Sequence, residues 1–179
     1  MGRTRAAGVV PLLLTAGIAL NACTDAPAPS PTSSVLSTAR VTVADPNTVL
    51  NQLATDLRSR IDTLTKDLKT TYRGVTGNDS IECGTPTGDR WPQQWHYSQR
   101  LFLTEPDSRG VARQLAAKLR SEGWTERTDL DNGKELMLTL QVGGASIGLS
   151  AGSTGGGLAV TGGTACVNAD GTVDHRPVG

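Results

Sequence analysis

The chain has 179 residues, 17 Lys and Arg against 17 Asp and Glu, and only 3% aromatic residues. With no basic excess, a surface that neutralises nucleic-acid phosphates is excluded, as is a polybasic patch that would hold the chain to acidic lipids. Three cysteines and two histidines show none of the spacings of a metal site, so neither a metal nor another cofactor is expected.

Arg3 and Arg5 precede an uncharged run from Ala6 to Leu20, the basic and apolar regions of a secretory signal. The run is too short to span a bilayer, which takes about 20 apolar residues. It ends in Leu20-Asn21-Ala22-Cys23, which resembles the lipobox of bacterial lipoproteins. The resemblance implies cleavage after Ala22, giving a signal peptide over 1–22, and a diacylglycerol on the Cys23 thiol. Two acyl chains anchor stably where one binds only marginally. The expected location is therefore the extracytoplasmic face of the cell membrane, held there by lipid alone.

Residues 23–44 are rich in Pro, Ser and Thr with few large apolar side chains. Such a segment cannot bury enough surface to offset chain entropy, and it reads as a flexible tether. Asp45-Pro46 then combines an N-cap with a residue suited to the first helical turn. Leu50, Leu53, Leu57, Ile61, Leu64, Leu68 and Tyr72 recur every three or four positions, with Gly74 beyond. That spacing predicts one helix of about 27 residues ending at a glycine cap. Gly77 to Pro92 reads as a turn-rich connection.

Alternation from Trp95 to Thr104 predicts a strand, with Trp95, Tyr97, Leu101 and Leu103 inward and Gln99 interrupting them. Pro106-Asp107-Ser108 opens a short helix whose inner side is Val111, Ala112, Leu115, Ala116 and Leu119, stopped by Gly123. Strands follow over Trp124–Leu130 and Lys134–Val142, the latter with Leu136, Leu138, Leu140 and Val142 inward, joined at Asp131-Asn132-Gly133, where Asn-Gly tolerates positive φ. Two more are expected over Ala145–Ser150 and Leu158–Val167. The tail, 168–179, is polar and expected to fray. One face of these strands is apolar and the other small and polar, the pattern of an antiparallel sheet covered on a single side. The expected fold is α+β: about four to five antiparallel strands with a long N-terminal helix and a short helix on one face, forming a single domain over 45–167.

With Cys23 lipidated, Cys83 and Cys166 are an even pair in an oxidising compartment, and a disulfide between them is the simple reading. The order of lipobox, tether, helix, Cys, strand, helix, Asn-Gly hairpin and strands closing on a Cys resembles the LppA-type lipoproteins of mycobacteria and related actinobacteria. The residues that carry it are Leu20–Cys23, Glu82-Cys83, Val111–Leu115 to Gly123, Asp131-Asn132-Gly133, and Gly162–Cys166. The resemblance bears on fold and location and implies no catalytic residues.

Neither histidine has a nucleophile within reach. His96 and Ser98 would stand about 7 Å apart on one strand face, too far for a direct hydrogen bond. Glu105, Asp107, Glu122, Glu126, Asp129 and Asp131 fall near turns and helix ends, where capping and solvation account for them. Of Trp91, Trp95 and Trp124, Trp91 before Pro92 is the one expected at the surface, a candidate contact for a ligand or partner. The expected function is thus a non-catalytic lipoprotein domain presented to an envelope protein or wall partner. The alternatives are a carrier of an apolar ligand and, further off, a wall-polymer hydrolase; the oligomeric state is open.

Overall fold

A computed structural model describes residues 44–176; the expected signal peptide, Cys23 and the expected tether up to residue 43 lie outside the described residues. The first helix, α1 (Pro46–Thr65), starts where the sequence indicates. Asp45 accepts hydrogen bonds from the Thr48 N–H and hydroxyl, both at 2.9 Å. Leu50, Ala54, Leu57, Ile61 and Leu64 form its buried stripe.

The helix stops at Thr65, and this corrects the expected length. Residues 70–82 are instead a strand, β1 (Thr70–Glu82), antiparallel to β2 (Gln93–Leu103) along its whole length. The spacing of Leu68 and Tyr72 imitates a helical stripe. However, Thr70, Thr71, Tyr72, Val75 and Thr76 are the β-branched and aromatic types that suit a pleated surface, and β2 offers them a full ladder. Arg73 fastens the changeover: its guanidinium donates to the Thr65 hydroxyl at 2.7 Å and the Thr65 carbonyl at 2.6 Å. Only the stretch 83–92 remains a connection.

The other elements are α2 (Ser108–Ser121), β3 (Thr125–Asp131), β4 (Glu135–Val142), β5 (Ala145–Gly152), β6 (Gly157–Gly163), β7 (Cys166–Val167) and β8 (Val173–Asp174). They make an eight-stranded sheet in the order β3-β4-β5-β6-β2-β7-β8, with β1 on the remaining edge of β2. All the pairings are antiparallel. The mixed α+β class stands, and the sheet is larger than the four to five strands expected. One added strand was masked by helical periodicity, and two are only two residues long.

The expected last strand is broken after Gly163. The Thr164 hydroxyl takes the Trp95 N–H at 2.8 Å, substituting for a ladder bond, and β7 resumes against Gln93. The segment read as a tail turns through Asn168–Thr172 and returns as β8, Val173 opposite Val167. The β3–β4 hairpin also differs in detail. No described residue other than glycine has positive φ. Asn132 acts through its side-chain carbonyl instead, accepting from the N–H groups of Lys134 and Glu135 at 2.9 and 2.8 Å.

Both helices cover one face. Their stripes meet Tyr97, Leu101, Leu136, Leu138, Leu140, Ile147, Leu149, Leu158 and Val160 in one apolar cluster. Val142, expected inward, lies exposed at its strand end. Gly162 lets α1 approach the sheet: a Cβ there would stand 2.7 Å from Ile61 Cδ1 and 2.8 Å from Leu57 Cδ1. Gln99, which breaks the apolar alternation of β2, is buried yet bonded on every side. Its amide donates to Asp62 at 2.6 Å and to the Tyr97 hydroxyl at 2.9 Å, and its carbonyl accepts from Thr65 at 3.3 Å. Gln99→Ala would leave the buried Tyr97 hydroxyl short of a partner in the core, whereas Thr65 keeps the Ile61 carbonyl and Arg73. A loss of about 1–3 kcal/mol is expected, read as a lower midpoint in urea unfolding.

The Cys83–Cys166 disulfide joins the β1–β2 connection to β7, its Cα atoms 6.1 Å apart. Among the described residues, no helix is long and apolar enough to cross a membrane.

Candidate functional site

The face of the sheet away from the helices is uncovered, and its register sets out what it presents. Thr125, Gln141, Ser146, Gly163, His96 and Asp79 follow one another across the strands in one row. The next rows run Thr128, Thr139, Gly148, Thr161, Ser98, Gly77 and then Leu130, Met137, Ser150, Ala159, Arg100, Gly74. Strands lie about 4.8 Å apart, so β5 and β6 make a floor of small side chains between taller rims on β3–β4 and β2.

The result is a trough. At one end a cavity of about 580 Å³ is lined by Arg127, Thr128, Thr139 and Gln141 on one rim and by Gln94 and His96 on the other. Further along the same face, a depression of about 230 Å³ is lined by Arg100, Phe102, Ser150 and Ala159. Phe102 meets Tyr72 edge to face at 5.9 Å. Both rings stay largely exposed, Phe102 at 44% and Tyr72 at 52%. Arg127 donates its Nε–H to the Gln141 side-chain carbonyl at 2.9 Å, which steadies the guanidinium on its rim.

The rim strand β3 is held from behind by charge. Its helix-side residues Glu126, Asp129 and Asp131 face Arg120, Arg113 and Arg109 of α2, and a further ion pair joins Arg60 of α1 to Glu122. Arg113 reaches Asp131 at 2.9 Å and Asp129 at 3.4 Å. This arginine ladder went unremarked in the sequence. The four- and seven-residue spacing of Arg109, Arg113 and Arg120, facing carboxylates on the next strand, was the available signal.

The Arg109 hydrogen bond, then the Gly133 N–H, then Arg113 hold the Asp131 carboxyl down to about 2. In the unfolded chain it would titrate near ~3.9. A depressed folded value means that the contribution is complete above the unfolded value and disappears as pH falls toward the folded one. Asp131→Asn should therefore lower the melting temperature near neutral pH. The gap from wild type should close between about pH 4 and pH 2, as read in thermal melts against pH.

The residues singled out from sequence scatter over the fold. Trp91 is 46% exposed and lines a depression of about 320 Å³ with Asp45, Asn47, Leu50 and Arg90, at the start of α1. Trp95 packs against the core, donates to Asn78 Oδ1 at 3.0 Å and lies under the Arg58 guanidinium at 5.5 Å. Trp124 packs against the core as well. His96 and Ser98 share the uncovered face without pairing. The Ser98 hydroxyl shares a 2.7 Å hydrogen bond with Thr76, and His96 Nδ1 stands 3.8 Å from Asp79. Asp107 caps α2, accepting from the Gly110 N–H at 2.9 Å. Among the described residues no three His, Cys, Asp or Glu side chains are grouped to hold a metal ion.

No protein-family model matches the chain, and no curated protein matches it. Among solved structures it is similar to a DUF4853 family protein from Actinomyces odontolyticus. The identity is 14% over 72% of this chain and 71% of that one, and the TM-score is 0.44.

Proposed function

We propose that this chain is a lipid-anchored lipoprotein of the LppA type. Its folded domain is a non-catalytic binding module that meets an envelope or wall partner through the uncovered face of its sheet. The observation that carries this reading is the trough. A solvated sheet face ordinarily bears long polar chains on its central strands. Here β5 and β6 present Ser146, Gly148, Ala159 and Thr161 between rims that hold Arg127, Gln141 and His96. Gly148 makes room for the Thr161 side chain, whose hydroxyl would stand 2.5 Å from a Cβ at that position, so the floor stays low between the rims. The Ser98 hydroxyl is engaged by Thr76 and not by His96, which further favours binding over nucleophilic chemistry.

The anchor is tested at Cys23. Intact-mass analysis of protein extracted from membranes should give a chain beginning at residue 23 with a diacylglycerol added, and Cys23→Ser should release the protein from the membrane fraction. An unmodified Cys23 in membrane-extracted protein would remove the anchor from this reading. The module is tested by a photo-crosslinking residue at Thr139, which should capture an envelope component that the same residue at exposed Thr55 does not.

One observation favours a carrier as the second reading. Leu53, Leu57, Trp124, Ala145, Ala165 and Val173 line a mainly apolar depression of about 320 Å³ against α1, the size of a small-ligand site. Native mass spectrometry of protein purified without denaturant would show the cargo as a discrete added mass.

A further inference from the structure

The chemistry of the trough narrows what can occupy it, an inference that rests on the binding-module reading. Residues lining its two cavities include Arg127 and Arg100 and no carboxylate. Two acidic groups border it: Asp79 lies outside His96, and Glu135 stands beside the smaller depression, where its carboxylate is engaged by the Ser150 hydroxyl at 3.0 Å. The fixed charge of the lining is therefore positive, and its complement is an anion.

The other polar groups are side-chain hydroxyls and amides, those of Thr128, Thr139, Ser146, Thr161, Gln94 and Gln141. The strands beneath are paired on both sides, so their backbone N–H and C=O groups are consumed within the sheet. A peptide laid on this face could not add itself as a strand, because that mode of recognition needs a free edge. A polyhydroxyl ligand has no such need, since it exchanges hydrogen bonds with hydroxyls and amides in any direction. At the far end the exposed Phe102 ring, braced by Tyr72, offers an apolar surface to the C–H face of a sugar ring. The larger cavity, about 580 Å³, falls within the roughly 300–1,000 Å³ of small-ligand sites.

We infer that the trough on the uncovered sheet face binds a carboxylate-bearing glycan, with Arg127 and Arg100 taking its carboxylates and Phe102 stacking on a sugar ring. Arginine suits the role because its planar fork matches a carboxylate in two parallel hydrogen bonds. Binding should weaken as salt is raised, since the groups on both sides are solvent-facing.

The test is calorimetric titration of the full-length protein in detergent with three probes: tetragalacturonate, the neutral cellotetraose, and tetraglutamate. Tetragalacturonate should bind, and at least about tenfold more tightly than either of the others. Arg127→Ala should weaken it by about tenfold, and Phe102→Ala should weaken it with its salt dependence unchanged. Both side chains are exposed, so the variants should fold; unchanged melting temperatures would establish that. Tetraglutamate binding as tightly as tetragalacturonate would overturn the glycan assignment in favour of an acidic peptide. Binding of tetragalacturonate that survives Arg127→Ala and Arg100→Ala together would overturn the placement. No tetragalacturonate binding, with envelope material still captured at Thr139, would overturn the ligand class alone. Loss of both would take the binding-module reading with it.

Discussion

Replacing Cys83 and Cys166 together by serine should cost this domain roughly 4–5 kcal/mol, the largest single effect expected from any conservative change. The bridge closes a separation of 83 residues, and constraint on the unfolded chain grows with the logarithm of that number. Typical domains have only about 5–15 kcal/mol in total, so the doubly substituted chain would sit near the edge of folding at 37 °C. The melting temperature should fall by roughly 14–18 °C on the entropy expected for a domain of this size. Reductant added to the wild type should reproduce the fall, and the double variant should ignore reductant. The location adds to the effect. Cys83 is where β1 leaves the sheet, its N–H donating to the Pro92 carbonyl at 2.9 Å, and Cys166 opens the two-residue strand β7. Without the link, β7 and β8 would have only short ladders to hold them. Amide exchange there should accelerate more than in β4 or β5. A wild type whose melting is indifferent to reductant would contradict this account.

The second large effect lies under α1. Ile61 is completely buried, and with Leu57 it meets the sheet at Gly162. Ile61→Ala should lose about 2–5 kcal/mol, the methyl and methylene groups removed plus the void they leave. Gly162→Ala acts in the opposite sense, pushing a methyl to within 2.7 Å of Ile61 Cδ1, and should cost about 1–3 kcal/mol by overpacking. Combined, the two should be less harmful than their sum by at least about 0.5 kcal/mol, because the added methyl enters the vacated space. Urea unfolding of the four proteins completes the cycle. Strict additivity would mean that α1 does not bear on β6 at this point.

Several elements were legible because their signals are local. Asp45-Pro46 caps α1, Asp107 caps α2, and Gly123 follows α2 with φ +89°. The alternation in β2, β4 and β5 placed their inner faces correctly apart from Val142 at the end of β4, and the pairing of Cys83 with Cys166 followed from counting. The stretch 66–76 was misread because Leu68 and Tyr72 continue the three-to-four spacing. Whether such a stretch coils or extends depends on whether a partner strand is waiting, and β2 is distant information at that point. The trough was illegible for the same reason. Ser146, Thr161, His96 and Arg127 are unremarkable one by one, and only the register of five strands sets them around one hollow.

The amino-acid sequence by itself determined the helix starts, the inward faces of most strands, the α+β class and the two cysteines that would meet. The cysteine pairing follows from counting; the others depend on side-chain periodicity and on the chemistry of neighbours, which act over a few residues. Tertiary structure decided where α1 ends, that β1, β7 and β8 exist, and which polar residues share the uncovered face. Except for β8, which pairs with nearby β7, each of these turns on hydrogen bonds between segments far apart in the chain, and the competing local preferences differ by less than such a ladder contributes.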